Sequence, residues 1–154
     1  MNRQRGVVLL LALVLSLLLG LLAASALRAA LMETRMTGYL SEGLLALEQA
    51  EATLLVGAGE LERAPPEQCD GCLPPSRPHE LAGQWQRTPT GYFQLQNLGT
   101  SERVAHMPER QLVTLYRVTA VSLQAQARHV LEAVYAVADD SPRRITWRQR
   151  LRGD

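Results

Sequence analysis

Two cysteines, Cys69 and Cys72, form a CxxC motif with Asp70-Gly71 between them. Such a pair can be a redox couple when it opens a helix in a thioredoxin-like unit, or it can supply part of a metal site. Here the motif lies in a proline-rich stretch with no helical pattern after it, and His79 would raise the nearby ligands to three at most. We therefore expect a structural disulfide, with redox chemistry and metal binding as the alternatives, and no cofactor.

The remaining residues of catalytic type are scattered. His79, His106 and His129 show no common spacing, and Glu48 and Glu51 fit surface charges of a helix better than a pair of catalytic acids. The sequence contains no GxSxG, no HExxH and no glycine-rich phosphate loop. We expect no enzymatic activity and no small-molecule substrate.

The charge pattern gives little reason to expect nucleic acid as a partner. The formal net charge is +1, and a chain so near neutrality has no strong attraction for a polyanion. Five arginines cluster near the C-terminus: Arg143, Arg144, Arg148, Arg150 and Arg152. Solvated strand faces and a tail are the simplest interpretation, and an acidic partner subunit or DNA are the alternatives.

The N-terminus predicts a membrane segment. Residues 1–6 form a short basic leader, and residues 7–27 contain no charge, which suffices for a helix across a hydrocarbon core of about 30 Å. The leader arginines predict a cytoplasmic N-terminus and place the remainder in the oxidising periplasm. A secretory signal cleaved near Ala26 is the rival interpretation, although its apolar region would normally be only about 7–15 residues long.

Helical character continues beyond the apolar segment. Residues 28–61 contain no proline, and leucines recur at spacings of three, four and seven: Leu40, Leu44, Leu47, Leu54 and Leu61. The helix should end between Gly57 and just after Leu61, because Pro65-Pro66 cannot continue it. The proline-rich residues 62–90 predict a loop that packs over a sheet and has little regular structure.

The last part of the chain has strand patterns. Short gaps separate the later candidates and suit hairpins; the candidates are residues 92–96, 112–123, 128–137 and 144–151. We predict an α+β fold in which a long N-terminal helix, membrane half plus amphipathic half, packs on a small antiparallel sheet. The divisions are a leader 1–6, a membrane or filament-core helix 7–27, an amphipathic helix 28–61 and a globular part 62–154.

The segment from Gln4 through Leu55 resembles the N-terminal region of PilX-type minor pilins of type IV pilus systems, and its leader and apolar helix resemble a class III signal. The likeness covers about a third of the chain and lies in three short stretches: Gln4-Arg5-Gly6, Glu33-Thr34-Arg35-Met36 and Ala50-Glu51-Ala52. The resemblance implies cleavage by prepilin peptidase between Gly6 and Val7, and N-methylation of Val7.

One position departs from the general pilin pattern. Major pilins have a glutamate as the fifth residue of the mature chain, and this chain has Leu11 there. The departure resembles that of tip subunits, so the resemblance implies a minor pilin that primes or caps assembly. The implied partners are other minor pilins, the major pilin, prepilin peptidase and the inner membrane.

Two other identities remain open at this stage. A minor pseudopilin of a type II secretion system has the same kind of N-terminus, although tip pseudopilins that lack the glutamate usually have a large inserted helical domain. A single-pass anchored periplasmic protein is the second alternative.

Overall fold

A computed structural model describes residues 3–105, 108, 110–138 and 141–152, with side chains described from Val7 onward. The chain forms two compact units, Met1–Ser41 and Glu42–Asp154. The first unit is helical throughout its described length, and the second contains the end of the same helix and a sheet. This is the predicted α+β fold.

Helix α1 spans Arg3–Arg63. Leucine and alanine dominate it, and both have high helix propensity. Ala64 N donates to Glu60 O at 2.8 Å, and Pro65-Pro66 then prevents continuation. The helix therefore ends two residues beyond the predicted Leu61, within the usual uncertainty of helix ends.

Five antiparallel strands form one sheet in the order β1-β2-β3-β4-β5. Their bounds are β1 Gln86–Arg87, β2 Gly91–Ser101, β3 Val113–Ser122, β4 Val130–Ala138 and β5 Ser141–Arg150. The sheet is the predicted meander with one extra short strand at its edge. Strand β2 is longer than expected because it continues through an irregularity between Asn97 and Gly99, where Gly99 has a φ of 92° that other residues rarely adopt.

The C-terminal part of α1 packs on one face of the sheet. Leu54 from the helix and Val118 and Leu131 from the strands are buried in one apolar cluster. Burying a leucine of this kind contributes about 1.5–3 kcal/mol. The helix approaches the sheet closely at Gly57, where an added Cβ would lie 2.6 Å from Val118 Cγ1.

The expected leucine stripe is only partly the buried side of the helix. Leu54 and Leu61 are buried and Leu47 packs against the core, whereas Leu40 and Leu44 are exposed. Alanines complete the buried side, and they include Ala46 and Ala50 at zero exposure. Small side chains let the helix backbone lie near the sheet, which a pattern of leucines alone does not indicate.

The segment between α1 and β2 is largely irregular, as predicted. A single 3-10 turn, Pro78–Glu80, and strand β1 are its regular elements among the described residues. Pro75 and Pro78 are buried, so the loop packs on the rest of its unit as expected.

Candidate functional site

The apolar N-terminal segment is exposed along its whole described length. Every side chain from Val7 to Leu27 is exposed, and Leu11 keeps 64% of its surface. Helix α1 is long and apolar enough here to cross a membrane, a test that a signal sequence would also pass. So much apolar surface requires lipid or other helices around it. The predicted cleavage bond between Gly6 and Val7 lies within α1.

Small residues form a row on this segment that the leucine pattern hides. Ala12, Ser16, Gly20 and Ala24 recur every four positions and so lie along one side of the helix. Ser16 Oγ donates to Leu13 O at 2.9 Å, which satisfies the hydroxyl within the helix. A Cβ on Gly20 would meet nothing within 4 Å. Such spacing lets helices approach one another closely in an apolar environment. The row is visible in the sequence, but the leucine pattern alone does not indicate it.

The CxxC motif forms a disulfide. Cys69 and Cys72 are bonded to each other, with Cα atoms 5.7 Å apart. The intervening turn is tight, and Gly71 adopts a φ of 68° that favours glycine. No helix opens at the motif, since the next regular element is the 3-10 turn at Pro78. The described residues contain no group of three potential metal ligands.

Residues 66–73, which surround the disulfide and which we call the cysteine loop, are bound by residues of the sheet. Asn97 Nδ2 donates to Pro66 O at 3.0 Å, and Gln96 Nε2 donates to Leu73 O at 2.9 Å. Arg117 Nη1 donates to Cys72 O at 3.4 Å. Cys69 N donates to Asn97 O at 3.3 Å. The loop is therefore attached to the sheet through three of its backbone carbonyls and the N–H of Cys69.

A buried carboxylate compensates the arginines beneath the loop. The side chain of Glu132 is 6% exposed, and Arg148 donates to its Oε1 from Nε at 2.9 Å and from Nη2 at 2.6 Å. Arg117 Nε lies 3.8 Å from Oε1, and Arg150 Nη1 lies 3.9 Å from Oε2. Removing one member of a buried ion group leaves charge uncompensated and is costly.

The pairing of β3, β4 and β5 explains why these arginines surround Glu132. Arg148 lies opposite Glu132 across β4 and β5, and Thr119 lies opposite Glu132 across β3 and β4. These side chains point to the same face, away from α1, because α1 covers the alternate residues such as Leu131 and Ala133. Arg148 and Arg150 thus have interior partners and are more than the solvated charges that the sequence suggested.

The other candidate residues have simpler positions. Glu48 and Glu51 are exposed on α1, as expected for surface charges. His129 lies just before β4, where its Nδ1 is 2.7 Å from Gln149 Nε2. His79 lies in the 3-10 turn. His106 lies outside the described residues.

No family model matches this chain, and neither does any curated protein or solved structure. What the fold and the residues define is a class: an α+β protein with one N-terminal helix that is long and apolar enough to be a single-pass anchor.

Proposed function

We propose that this chain is a minor pilin, a structural subunit that primes or caps assembly of a type IV pilus, with its place in the tip complex. The main support is the exposed, uncharged segment Val7–Leu27 at the start of a helix whose other end packs on an antiparallel meander. Helix plus meander is the architecture that the N-terminal resemblance implies, although the resemblance itself covers only Gln4 to Leu55.

The mechanism is assembly. Prepilin peptidase removes the leader at Gly6, and Val7 is methylated. The apolar segment then remains in the inner membrane, and the second compact unit, Glu42–Asp154, which we call the globular unit, lies in the periplasm. The segment then exchanges lipid for neighbouring helices in the filament. Since lipid is as apolar as leucine, close helix packing provides the specificity. The row of small residues at Ser16, Gly20 and Ala24 offers a close approach for this purpose.

Leu11 favours a tip position over the repeated shaft. A carboxylate at this place would be costly in lipid unless it were paired. A chain with leucine there inserts without that cost but cannot attract the terminal amine of a neighbouring subunit. We therefore expect few copies per filament.

A minor pseudopilin of a type II secretion system is the second candidate. The described part of the globular unit has no helix other than α1 and one 3-10 turn. An inserted helical domain, which tip pseudopilins without the glutamate usually have, is therefore not present in that part. This favours the pilus. A single-pass anchored periplasmic protein is the remaining alternative.

Processing of the native chain tests the proposal. The protein is purified from its own membranes, and its intact mass and N-terminal sequence are measured together with two variants, Gly6→Val and Ala26→Val. We expect the wild type to begin at methylated Val7, Gly6→Val to keep its leader, and Ala26→Val to be processed normally. A chain that begins after Ala26, or processing blocked by Ala26→Val alone, would indicate an ordinary secretory signal.

A further inference from the structure

A small pocket lies in the globular unit, and neither cysteine is among its lining residues. It has a volume of about 220 Å³, and the 3-10 turn, the β3–β4 turn and the end of β5 surround it. Its charged and titratable lining residues are His79, Arg128, His129, Arg150 and Arg152. Drug-sized ligands occupy about 300–1,000 Å³, so this pocket suits something smaller.

The lining is cationic. Three arginines and two histidines line the pocket, and none of its lining residues within the described part of the chain, which ends at Arg152, has a carboxylate. Of the three arginines, Arg150 is partly compensated, because its Nη1 donates to Pro75 O at 2.9 Å and lies 3.9 Å from Glu132 Oε2. The positive charge of these arginines also affects His79. Burial lowers the pKa of His79, and Arg152, Arg150 and Arg128 lower it further.

Arg128 is positioned by the pocket wall and retains a donor. Its Nη1 donates to His79 O at 2.6 Å, which fixes the guanidinium plane against the 3-10 turn. Its Nε is buried and has no hydrogen-bond partner among the described residues, so a ligand in the pocket would meet the other donors of the guanidinium group.

We propose that this pocket binds a phosphate group. A tetrahedral, multiply charged oxyanion can accept hydrogen bonds from several directions at once, and guanidinium groups match phosphate oxygens in geometry and charge. Arg128 and Arg152, which line the pocket, provide the charge for it. The inference does not depend on the proposed role in a pilus.

Phosphate titration of the full chain tests this. The chain is held in uncharged detergent micelles, and its thermal unfolding midpoint is followed as sodium phosphate replaces sodium chloride at constant ionic strength. Tryptophan fluorescence reports the globular unit, because Trp85 and Trp147 both belong to it. We expect a saturable rise of the midpoint with phosphate.

Variants separate the pocket from general charge effects. Arg152→Gln should weaken the apparent Kd for phosphate about tenfold, the fold-change that one lost charge-assisted hydrogen bond gives. Arg103→Gln removes the same charge from an exposed arginine that does not line the pocket, and its Kd should stay within about twofold. Arg128→Lys keeps the charge but removes the planar guanidinium group, and it should also weaken binding while the protein still folds.

The source of the phosphate group is tested in the same uncharged micelles. If lipid headgroups fill the pocket, added phosphatidylglycerol should raise the apparent Kd for inorganic phosphate more than an equal molar amount of oleate, an anionic amphiphile without phosphate. If soluble phosphate is the ligand, the two additions should change the Kd equally. The proposal is overturned if phosphate and chloride give equal midpoints for the wild type, or if Arg103→Gln weakens binding as much as Arg152→Gln.

Discussion

The two ends of helix α1 are both rich in leucine and alanine but have opposite surroundings. Val7–Leu27 keeps all its side chains exposed, whereas Leu54, Ala58 and Leu61 near the other end are buried against the sheet. The difference lies in what each end packs against: the second has a meander with a matching apolar face, and the first has no partner in its own unit. A chain built in this way stabilises its globular unit internally and leaves the apolar N-terminal segment exposed to contact lipid or other helices.

If this contrast is correct, changes in one region should leave the other unaffected. The largest effect is expected for Glu132→Gln, which removes the carboxylate between Arg117 and Arg150 and leaves buried charges uncompensated. We expect the free energy of unfolding to fall by about 3–5 kcal/mol, measured by urea unfolding with tryptophan fluorescence. Glu80→Gln is the control, because its ion pair with Arg77 is exposed and should contribute less than about 1 kcal/mol. Equal losses would contradict the account.

Leu54→Ala should lower the free energy of unfolding by about 3 kcal/mol, because it leaves a cavity in the core between helix and sheet. Its neighbour Leu55 is 66% exposed, so Leu55→Ala should cost less than about 0.5 kcal/mol. The same urea titration measures both. A large loss for Leu55→Ala would mean that the outer side of this part of α1 is also packed.

Leu17→Arg should act on the anchor alone. An arginine near the centre of a spanning helix costs about 3 kcal/mol of insertion free energy, which a membrane-insertion assay with a glycosylation reporter measures. The control Leu17→Ala should insert nearly as well as the wild type. Unfolding of the globular unit should be unchanged in both, and a shifted urea midpoint would show that the two regions are coupled.

The disulfide should contribute modestly. Replacing Cys69 and Cys72 together by serine should cost no more than about 2 kcal/mol, because the bridge closes a very short loop. Urea unfolding gives this value, and the mass after alkylation without reductant should show no free thiol in the wild type. A loss larger than that of Glu132→Gln would indicate that the bridge, more than the ion group, stabilises the globular unit.

The smallest expected effect is the change of folding stability with pH. Burial lowers the pKa of His79 below its ordinary 6.5 in the folded state, so the unfolded chain binds the proton more readily. The contribution to stability is complete above pH 6.5 and is lost as the pH falls through the lower folded pKa. The urea midpoint in phosphate-free buffer should decrease over this range, and His79→Gln should reduce the decrease. An unchanged pH profile in the variant would contradict this.

The sequence predicted the elements better than their contacts. The apolar run, the Pro65-Pro66 stop and the closely spaced strands were sufficient for a long helix and a meander. The buried side of α1 was partly missed, because alanines and Gly57 mediate the close approach that leucine spacing was used to find. The disulfide pairing followed from the CxxC spacing and its setting.

The ion group and the pocket could not be predicted. Glu132 meets Arg117 and Arg148 only through the register of three strands, and β5 also has an irregularity opposite Val134 and Tyr135. The pocket unites a 3-10 turn, a hairpin turn and the end of β5, and no local pattern indicates that these segments meet. The proposed role in pilus assembly is supported by the N-terminal residues, and it is tested by the processing of the chain purified from its own membranes.

The most direct measurement is the amount of this chain in sheared pilus filaments of the cell that makes it, quantified by mass spectrometry against the major pilin. The account predicts a chain that begins at methylated Val7 and is present at a few copies per filament. A chain that is abundant in the membrane fraction but undetectable in sheared filaments would contradict the assignment to the pilus.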